Sequence, residues 1–571
     1  MRTKNILIGS LLILFMTGCN DFLNTENLTE KDSSNFPTTE SDAEESLTGI
    51  YSILREMTTN DEEQNIFIVP EILSDDRFGG GGPDDTYMHA LDHLKKSSNN
   101  MFSDIWKENY KGIYRCNSLL EAMDKITFDS DDSKNQIKGE TYFMRAYFYF
   151  NLCKTFGKVP LITTSVSGNA AQAKPAELYA LMGTDMQKAI SLLPSTNYND
   201  ISTSRLGHVT KWAAEAMMAR IYLFYAGYYE QTSMPTDDGT ISSDEVVADL
   251  EDCMKNSGHK LVPDFRNLWP YANKYTKADY PYSEDNDLSW VGDEGGNYES
   301  MFEIRYSATA SWDNSDSYSN NEVDLYFSPR ETDGSVENNF PLGIGWGCGT
   351  INPTMVSDWK AAEANDIRFK ASILNTTDEA PDYVWGADKQ YNETGYWEKK
   401  YVAINAKTTD NSGDDVIENY SCLEYPDIST DYQLNNIQDI VVIRYADVLL
   451  MYSELTKTVD GINQVRARAG LNPIAAYTDK ALRNERRWEF AFEGLRWYDL
   501  LRWHIAGDAL AKQDGVAVEN NLESTTMDMS DIKQRVTDTG GFLQIPLTQI
   551  SLSNNVLVQN AGWTADDISY E

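Results

Sequence analysis

Positive charge is scarce in this sequence. Lys and Arg total 48 against 89 Asp and Glu, a formal net charge of −41 over 571 residues. Such a field repels a phosphate backbone, which argues against a nucleic-acid partner and leaves neutral polysaccharide or protein as better fits. Cysteine is scarce too, and none of Cys19, Cys116, Cys153, Cys253, Cys348 and Cys422 forms a C-x-x-C pair. A zinc ribbon and a thioredoxin-like motif are therefore excluded. Catalytic signatures are equally thin. No G-x-S-x-G nucleophile elbow is present. His89 and His93 have the four-residue spacing of metal ligands, but Ala90 stands where a zincin needs Glu, and two solvated histidines are the better reading. The GIGWGCG run at Gly343–Gly349 lacks the Lys-Ser or Lys-Thr of a P-loop and reads as a glycine-rich loop that lets Trp346 project. With 89 acidic residues some carboxylate pair always exists, so a hydrolase has no positive signal here.

What is present is a large globular chain. Composition is 41% hydrophobic and 24% charged, and the length allows several subdomains. Aromatics reach 12%, including 33 Tyr and 13 Trp. That excess suits either a large aromatic core or a surface that stacks on sugar rings.

The N-terminus has its own logic. Arg2 and Lys4 precede an apolar run, Ile6 to Met16. The run is shorter than the roughly 20 residues of a spanning helix and normal for a signal peptide. Small Thr17 and Gly18 then lead to Cys19, as in a bacterial lipobox, although Met16 stands where Leu is usual. A lipidated Cys19 would anchor the chain to a membrane, with polar Asn20–Ser34 as an extended leash.

Helical periodicity starts at Ala43, Leu47, Ile50 and Leu54. The SDDRFGGGGPDD stretch, 74–85, reads as an irregular, mobile loop. Further amphipathic patterns cover 101–126, 137–161, the segment from Pro175 to about Leu193, and 209–230; Ala146 and Phe150 show the A-x3-F spacing of helical repeats. From about Asp264 to Ser429 the pattern breaks, and seven of the 13 tryptophans fall there: Trp269, Trp290, Trp312, Trp346, Trp359, Trp385 and Trp397. Some of these should be exposed, available to stack on a ligand. Helix is expected again over IVVIRYADVLLMYSEL, over GINQVRARAGLNP and over ALRNERRWEFAFEGLRWYDLLRW, where Glu493–Arg496 and Asp499–Arg502 have i,i+3 spacing. QIPLTQISLSNN reads as an extended closing segment. The expected fold is mainly α, with degenerate tetratricopeptide-like hairpins stacked in series and a loop-rich irregular region packed on them.

The lipobox followed by CNDFLNTE, the IRYADVLLMYSEL and INQVRARAGL pair, the arginine–aromatic LRNERRWEFAFEGLRWYDLLRW and a terminal QIPLTQI together resemble the SusD/RagB family of Bacteroidetes outer-membrane lipoproteins. IWKENYKGIYRCNSLLEAM is similar to that family's early repeat helices. The resemblance covers nearly the whole mature chain, least in the Trp-rich middle. It implies four tetratricopeptide-like units, a SusC-like TonB-dependent transporter barrel as partner, capture of an oligosaccharide and no catalysis. Asp21 resembles the acidic signal that sends such lipoproteins to the cell surface. The expected division is a signal peptide at 1–18, a SusD-like helical-repeat part at 19–262, and a loop-rich middle with the C-terminal RagB/SusD part at 263–571. An alternative within the family is uptake of peptides or other nutrients; a surface glycoside hydrolase is a more distant one.

The ligand site is expected in the early Gly-rich loop and the irregular middle. Tyr87, Trp312, Tyr318, Trp346, Tyr391 and Tyr396 are the candidate stacking rings. Asp76 and Arg368 are the candidate partners of sugar hydroxyls, although Arg368 has an ion pair with Asp366 as its alternative. No cofactor is expected. SDDRFGGGGPDD and TTDNSGDD offer oxygen ligands for a structural calcium, against the simpler reading as solvated loops.

Overall fold

The fold was analysed as a computed structural model. It describes residues 36–59, 65–166, 168–294, 296–311, 320–330, 335–410, 412–564 and 569–570. Cys19 and the signal-like segment, together with Trp312 and Tyr318, lie outside the described residues.

About 48% of the described residues are helical, and the strands are short antiparallel pairs. The first half is a series of long helices: α1 (Glu40–Glu56), α2 (Ser103–Ala122), α3 (Asp131–Phe156), α4 (Pro175–Leu192), α5 (Lys211–Tyr228) and α6 (Ser243–Asn256). The ends are written in the sequence. Thr39 and Asp42 form a reciprocal capping box on α1, Ser130 and Thr210 cap α3 and α5, and Pro175 opens α4. Each helix packs on the next in chain order, the neighbour-to-neighbour pattern of stacked hairpins. Ala43, Leu47, Ile50 and Leu54 are all buried on α1. α3 is buried nearly all round from Gly139 to its end, and α5 from Trp212 to Tyr225, so they form the centre of the stack. Arg145 on α3 grips Asp185 on α4 with two hydrogen bonds of 2.7 and 2.8 Å.

The second half returns to this stack through α7 (Tyr445–Thr456), which packs on α6, and α8 (Asp460–Arg468), which packs on α7. Three expectations change here. IVVIR is a strand, β2 (Ile440–Arg444), paired antiparallel with β1 (Ser300–Ile304); the run of β-branched residues favours the pleated ladder, and helix begins only at Tyr445. The arginine–aromatic segment is two helices, α9 (Asp479–Glu489) and α10 (Arg496–Arg502), separated by a turn with Phe492 at φ +66° and Gly494 at φ +73°. Asp499 pairs with Arg502 as the spacing predicts, at 2.8 Å, but Glu493 instead meets Arg444 and Lys400, and Arg496 meets Asp75. The closing segment is not extended, since Leu547–Leu552 forms a short helix, α11. The five described cysteines are free, and one hydrophobic core runs from Ala43 to Trp563 through both halves. No helix among the described residues is long and apolar enough to cross a membrane.

Under the second half lies a buried ionic network that accounts for the charged letters of the recognisable motifs. Glu489 accepts from Arg368 at 2.9 Å and is also bound by Arg444 and Arg468. Arg444 reaches Glu299 at 2.9 Å and Glu493 at 2.8 Å. Arg486 joins Asp447 on α7 to Asp499 on α10. Charges buried this deep persist only when paired and hydrogen-bonded.

Candidate ligand-binding shelf

The Gly-rich loop is positioned by its charged base. Asp75 pairs with Arg496 at 2.7 Å, Asp76 with Arg487 at 2.7 Å, and Arg77 with Glu71 at 2.6 Å and with Glu398. Beyond Arg77 the backbone runs against two other segments. Phe78 donates to the Thr350 carbonyl, Gly81 donates to that of Gly347, and Tyr391 donates to that of Gly81 at 2.8 Å. Gly80 has φ +67°, and a Cβ there would meet the Gly347 oxygen at 2.5 Å, so only glycine permits the approach. The loop is therefore buried and clamped as far as Gly82, not mobile as its composition suggested, and within it only Pro83 and Asp84 are exposed.

The same logic shapes GIGWGCG. Four successive amides, Gly345 to Cys348, donate to carbonyls of the Leu325–Pro329 segment at 2.7–2.9 Å. A Cβ on Gly345 would clash with the Leu325 oxygen. Trp346 emerges half-buried, edge-on to Tyr326 with ring centroids 4.4 Å apart.

Three of the expected rings gather around this loop. Tyr87, Trp346 and Tyr391 are each half-buried. Arg330 ties them together: it donates to the Trp346 carbonyl at 2.8 Å and pairs with Asp85 at 3.2 Å and Asp388 at 2.8 Å. The Tyr87 hydroxyl lies 3.4 Å from Asp85. Tyr391 stacks on His89 at 5.5 Å with planes 17° apart, and His89 Nε2 lies 2.9 Å from the Gly80 carbonyl. His89 is thus buried structure and His93 half-buried, bonded to the His89 and Asp528 carbonyls, in place of two solvated histidines. Burial lowers both imidazole pKa values below the ordinary histidine range.

The other expected residues fall elsewhere. Arg368 is completely buried, with Asp366, Glu485 and Glu489 around its guanidinium, so the ion-pair alternative describes it and no face is left for a sugar. Asp76 is buried on Arg487 in the same way. Tyr396 is half-buried against a separate cluster that contains Trp359 and Trp488. Of the Trp-rich middle, Trp269, Trp359 and Trp397 are core residues, Trp290 and Trp346 are half-buried, and Trp385 is 37% exposed. Among the described residues no group of three or more His, Cys, Asp or Glu is arranged to hold a metal ion. Sequence reasoning missed Arg330 and Asp388, which carry no motif, and took Asp85 only as one of the loop's oxygen ligands for calcium.

The helical stack, the irregular half and this aromatic shelf define a class, and comparison with known proteins defines the family. Residues 298–563 match the model described as "SusD family", and residues 21–223 match one described as "Starch-binding associating with outer membrane". The chain belongs to the SusD/RagB family. SusD-like protein P25 of Formosa agariphila is 23% identical over 567 residues, covering 89% of this chain and 92% of that protein. Among solved structures, a laminarin binding SusD-like protein superposes with a TM-score of 0.70 at 24% identity, covering 92% of this chain and 100% of its own. Surface glycan-binding protein A from Bacteroides thetaiotaomicron, in complex with laminarihexaose, gives 0.68 at 20% identity, with 92% and 100% covered.

Proposed function

We propose that this chain is a surface lipoprotein that captures neutral oligosaccharides on the shelf and delivers them to a SusC-like TonB-dependent transporter barrel. The observation that carries the reading is the gathering of Tyr87, Trp346 and Tyr391 around Asp85, Arg330 and Asp388 by two glycine-rich segments. Aromatic faces take the apolar side of a sugar ring, and the charged groups beside them exchange hydrogen bonds with its hydroxyls. Solved relatives described as binding laminarin and laminarihexaose support the ligand class. Two or three ring contacts of about 1 kcal/mol each, with a few hydrogen bonds, give an affinity of roughly micromolar to millimolar. That range suits cargo that must be released. Trp312 and Tyr318 remain candidates for the same site on sequence grounds.

No catalytic step is assigned. The lipid on Cys19 holds the chain to the outer membrane in this reading. The two matched stretches fall on either side of residue 262, which supports the proposed division there. In this reading the transporter docks against the helical stack. Support comes from a groove of about 520 Å³ beside α2 and α11, where Tyr114 and Leu552 are 55% and 71% exposed and Val166, nearby in the 162–170 loop, is 88% exposed. Exposed apolar side chains this close together are characteristic of protein interfaces. A glycan array with peptide controls tests the ligand class: retention of peptides and no glycan would replace this reading.

A further inference from the structure

A cleft of about 400 Å³ opens where the helical stack meets the irregular half. None of its lining residues belongs to the shelf. Its walls come from the loop between α4 and α5, from residues preceding β1, and from β1 and β2. Its volume is in the range of small-molecule sites, and the seam between two structural parts is where such sites recur.

The lining has the two components of a saccharide site. Tyr198 and Trp290 are half-buried, with their rings against His259 at 4.8 Å and Tyr420 at 5.9 Å, and Tyr425 is 44% exposed; all three line the cleft. Beside them Arg305 lies 3.4 Å from Asp439 and 3.8 Å from Glu303. Burial, with Glu303 close by, pushes the Asp439 carboxyl up to about 7. One guanidinium thus faces two carboxyls, and burial shifts Asp439 towards its neutral form. Arg205 and Arg444 also line the cleft, but Arg205 is paired with Glu44 and Glu140 and Arg444 with Glu299, Glu489 and Glu493, so among the described residues no unpaired positive charge faces it to favour a strongly charged ligand.

The buried side of the wall points the same way. His259, Trp269 and Gln438 line the cleft, and each carries a buried polar atom without a partner: Nε2, Nε1 and Oε1. The His259 Nδ1 is 2.9 Å from the Tyr298 carbonyl and must donate to it, and burial lowers the imidazole pKa, so Nε2 is left as an acceptor. Gln438 donates its amide to the Lys400 carbonyl, which leaves its oxygen as a second acceptor. The indole of Trp269 is a donor. Unpartnered buried polar groups are rare, and these three make the wall behind the cleft's surface polar.

We propose that this cleft is a second saccharide site, which holds a short neutral saccharide, or the end of a longer one, by stacking on Tyr198, Trp290 and Tyr425 and by hydrogen bonds to Glu303, Arg305 and Asp439. The ligand class rests on the glycan-capture reading, but no residue is shared with the shelf. The chain therefore holds two separate patches that could grip one long glycan or two short ones.

The test uses the full chain labelled with 5-fluorotryptophan, with fluorine resonances of Trp290 and Trp346 assigned by Trp→Phe substitution. The probes are laminarihexaose, maltohexaose, xylohexaose and mannohexaose. The expected result is a saturable shift of Trp290 with at least one probe, weakened about tenfold in Tyr198→Ala or Glu303→Gln while any Trp346 response is unchanged. Glu303→Gln serves if Tyr198→Ala does not fold. A moving Trp346 with a fixed Trp290 overturns the second site and leaves the shelf reading intact. A moving Trp290 with a fixed Trp346 supports the cleft and counts against the shelf. Both fixed with every probe overturns both, and a Trp290 shift that survives both substitutions overturns the cleft, since it then arises from elsewhere.

Discussion

Removing the charge of Glu489 should destabilise the fold more than any surface substitution. The side chain is fully buried and three guanidiniums, of Arg368, Arg444 and Arg468, converge on it. Burial alone would raise its carboxyl pKa; Arg468, Arg444 and Arg368 outweigh that and hold it far below the usual carboxylate range. Glu489→Gln keeps the shape but aims an amide N–H at guanidinium donors. Breaking one partner out of a buried ionic cluster costs about 3–5 kcal/mol. The lower end is expected here, because Arg368 keeps Asp366 and Glu485 while Arg444 keeps Glu299 and Glu493. With a urea m-value of ~3 kcal/mol/M, a loss of ~3 kcal/mol moves the unfolding midpoint down by ~1 M. Tryptophan fluorescence in urea reads this, with exposed Glu284→Gln as control. The pH dependence gives a second check. A depressed carboxyl stabilises the fold above its unfolded value near 4.5 and loses that contribution as pH falls towards the folded value. The gap between wild type and variant should therefore be full at pH 7 and narrow below about pH 4.5. A variant within ~0.2 M of the control at pH 7, or a gap that does not narrow in acid, would refute the reasoning.

Three further outcomes are expected. Lys154 sits over the Phe150 and Tyr498 rings, and burial, aided by Arg220, lowers its amine to about 7. The folded state thus penalises the charged amine, fully below pH 7 and not at all above the ordinary lysine value. Lys154→Met should raise the melting temperature at pH 6–7 and raise it progressively less towards pH 10, as read by calorimetry; a gain that grows with pH would contradict this. Cys19→Ala should move the protein from the membrane to the soluble fraction in a strain lacking the partner barrel, and unchanged retention would sink the lipid-anchor proposal. Leu552→Glu, on the exposed groove beside α11, should reduce co-purification of a large barrel protein from solubilised membranes by several-fold, whereas Leu522→Glu, 61% exposed in the irregular half, should not.

The helical half was legible because its signals are local. Pro175 opens a helix and Ala43–Leu47–Ile50–Leu54 repeats at helical spacing, and the caps the structure shows at Thr39 and Ser130 are equally local. The irregular half was not, because its order is non-local. Arg368 looked available to a ligand since its partners Glu485 and Glu489 lie more than a hundred residues away. SDDRFGGGG looked mobile for a similar reason. Its glycines are there for close approach to Gly347 and Gly349, which no nearby residue reveals. The site was half readable. A tryptophan set between glycines, Trp346, and a tyrosine after the loop, Tyr87, do reach the shelf. Arg330, which joins them, has no sequence signature because its role depends on Asp85 and Asp388 arriving from distant segments. The charged residues of RYADVLL and LRNERRWEFAFEGLRW carry the resemblance to the family, and the fold gives their physical reason: Arg444, Asp447, Arg486, Glu489 and Glu493 form the buried network.

The central claim is glycan capture on the shelf, and calorimetry tests it most directly. An oligosaccharide retained on the array is titrated into wild type, Trp346→Ala and Tyr391→Ala, with melting temperatures recorded alongside. The account predicts affinity between roughly micromolar and millimolar for wild type, and a loss of about tenfold or more in each variant with little change in melting temperature. Unchanged affinity in both variants, with a large fall in stability, would show that these rings only fill the core and that the glycan binds elsewhere.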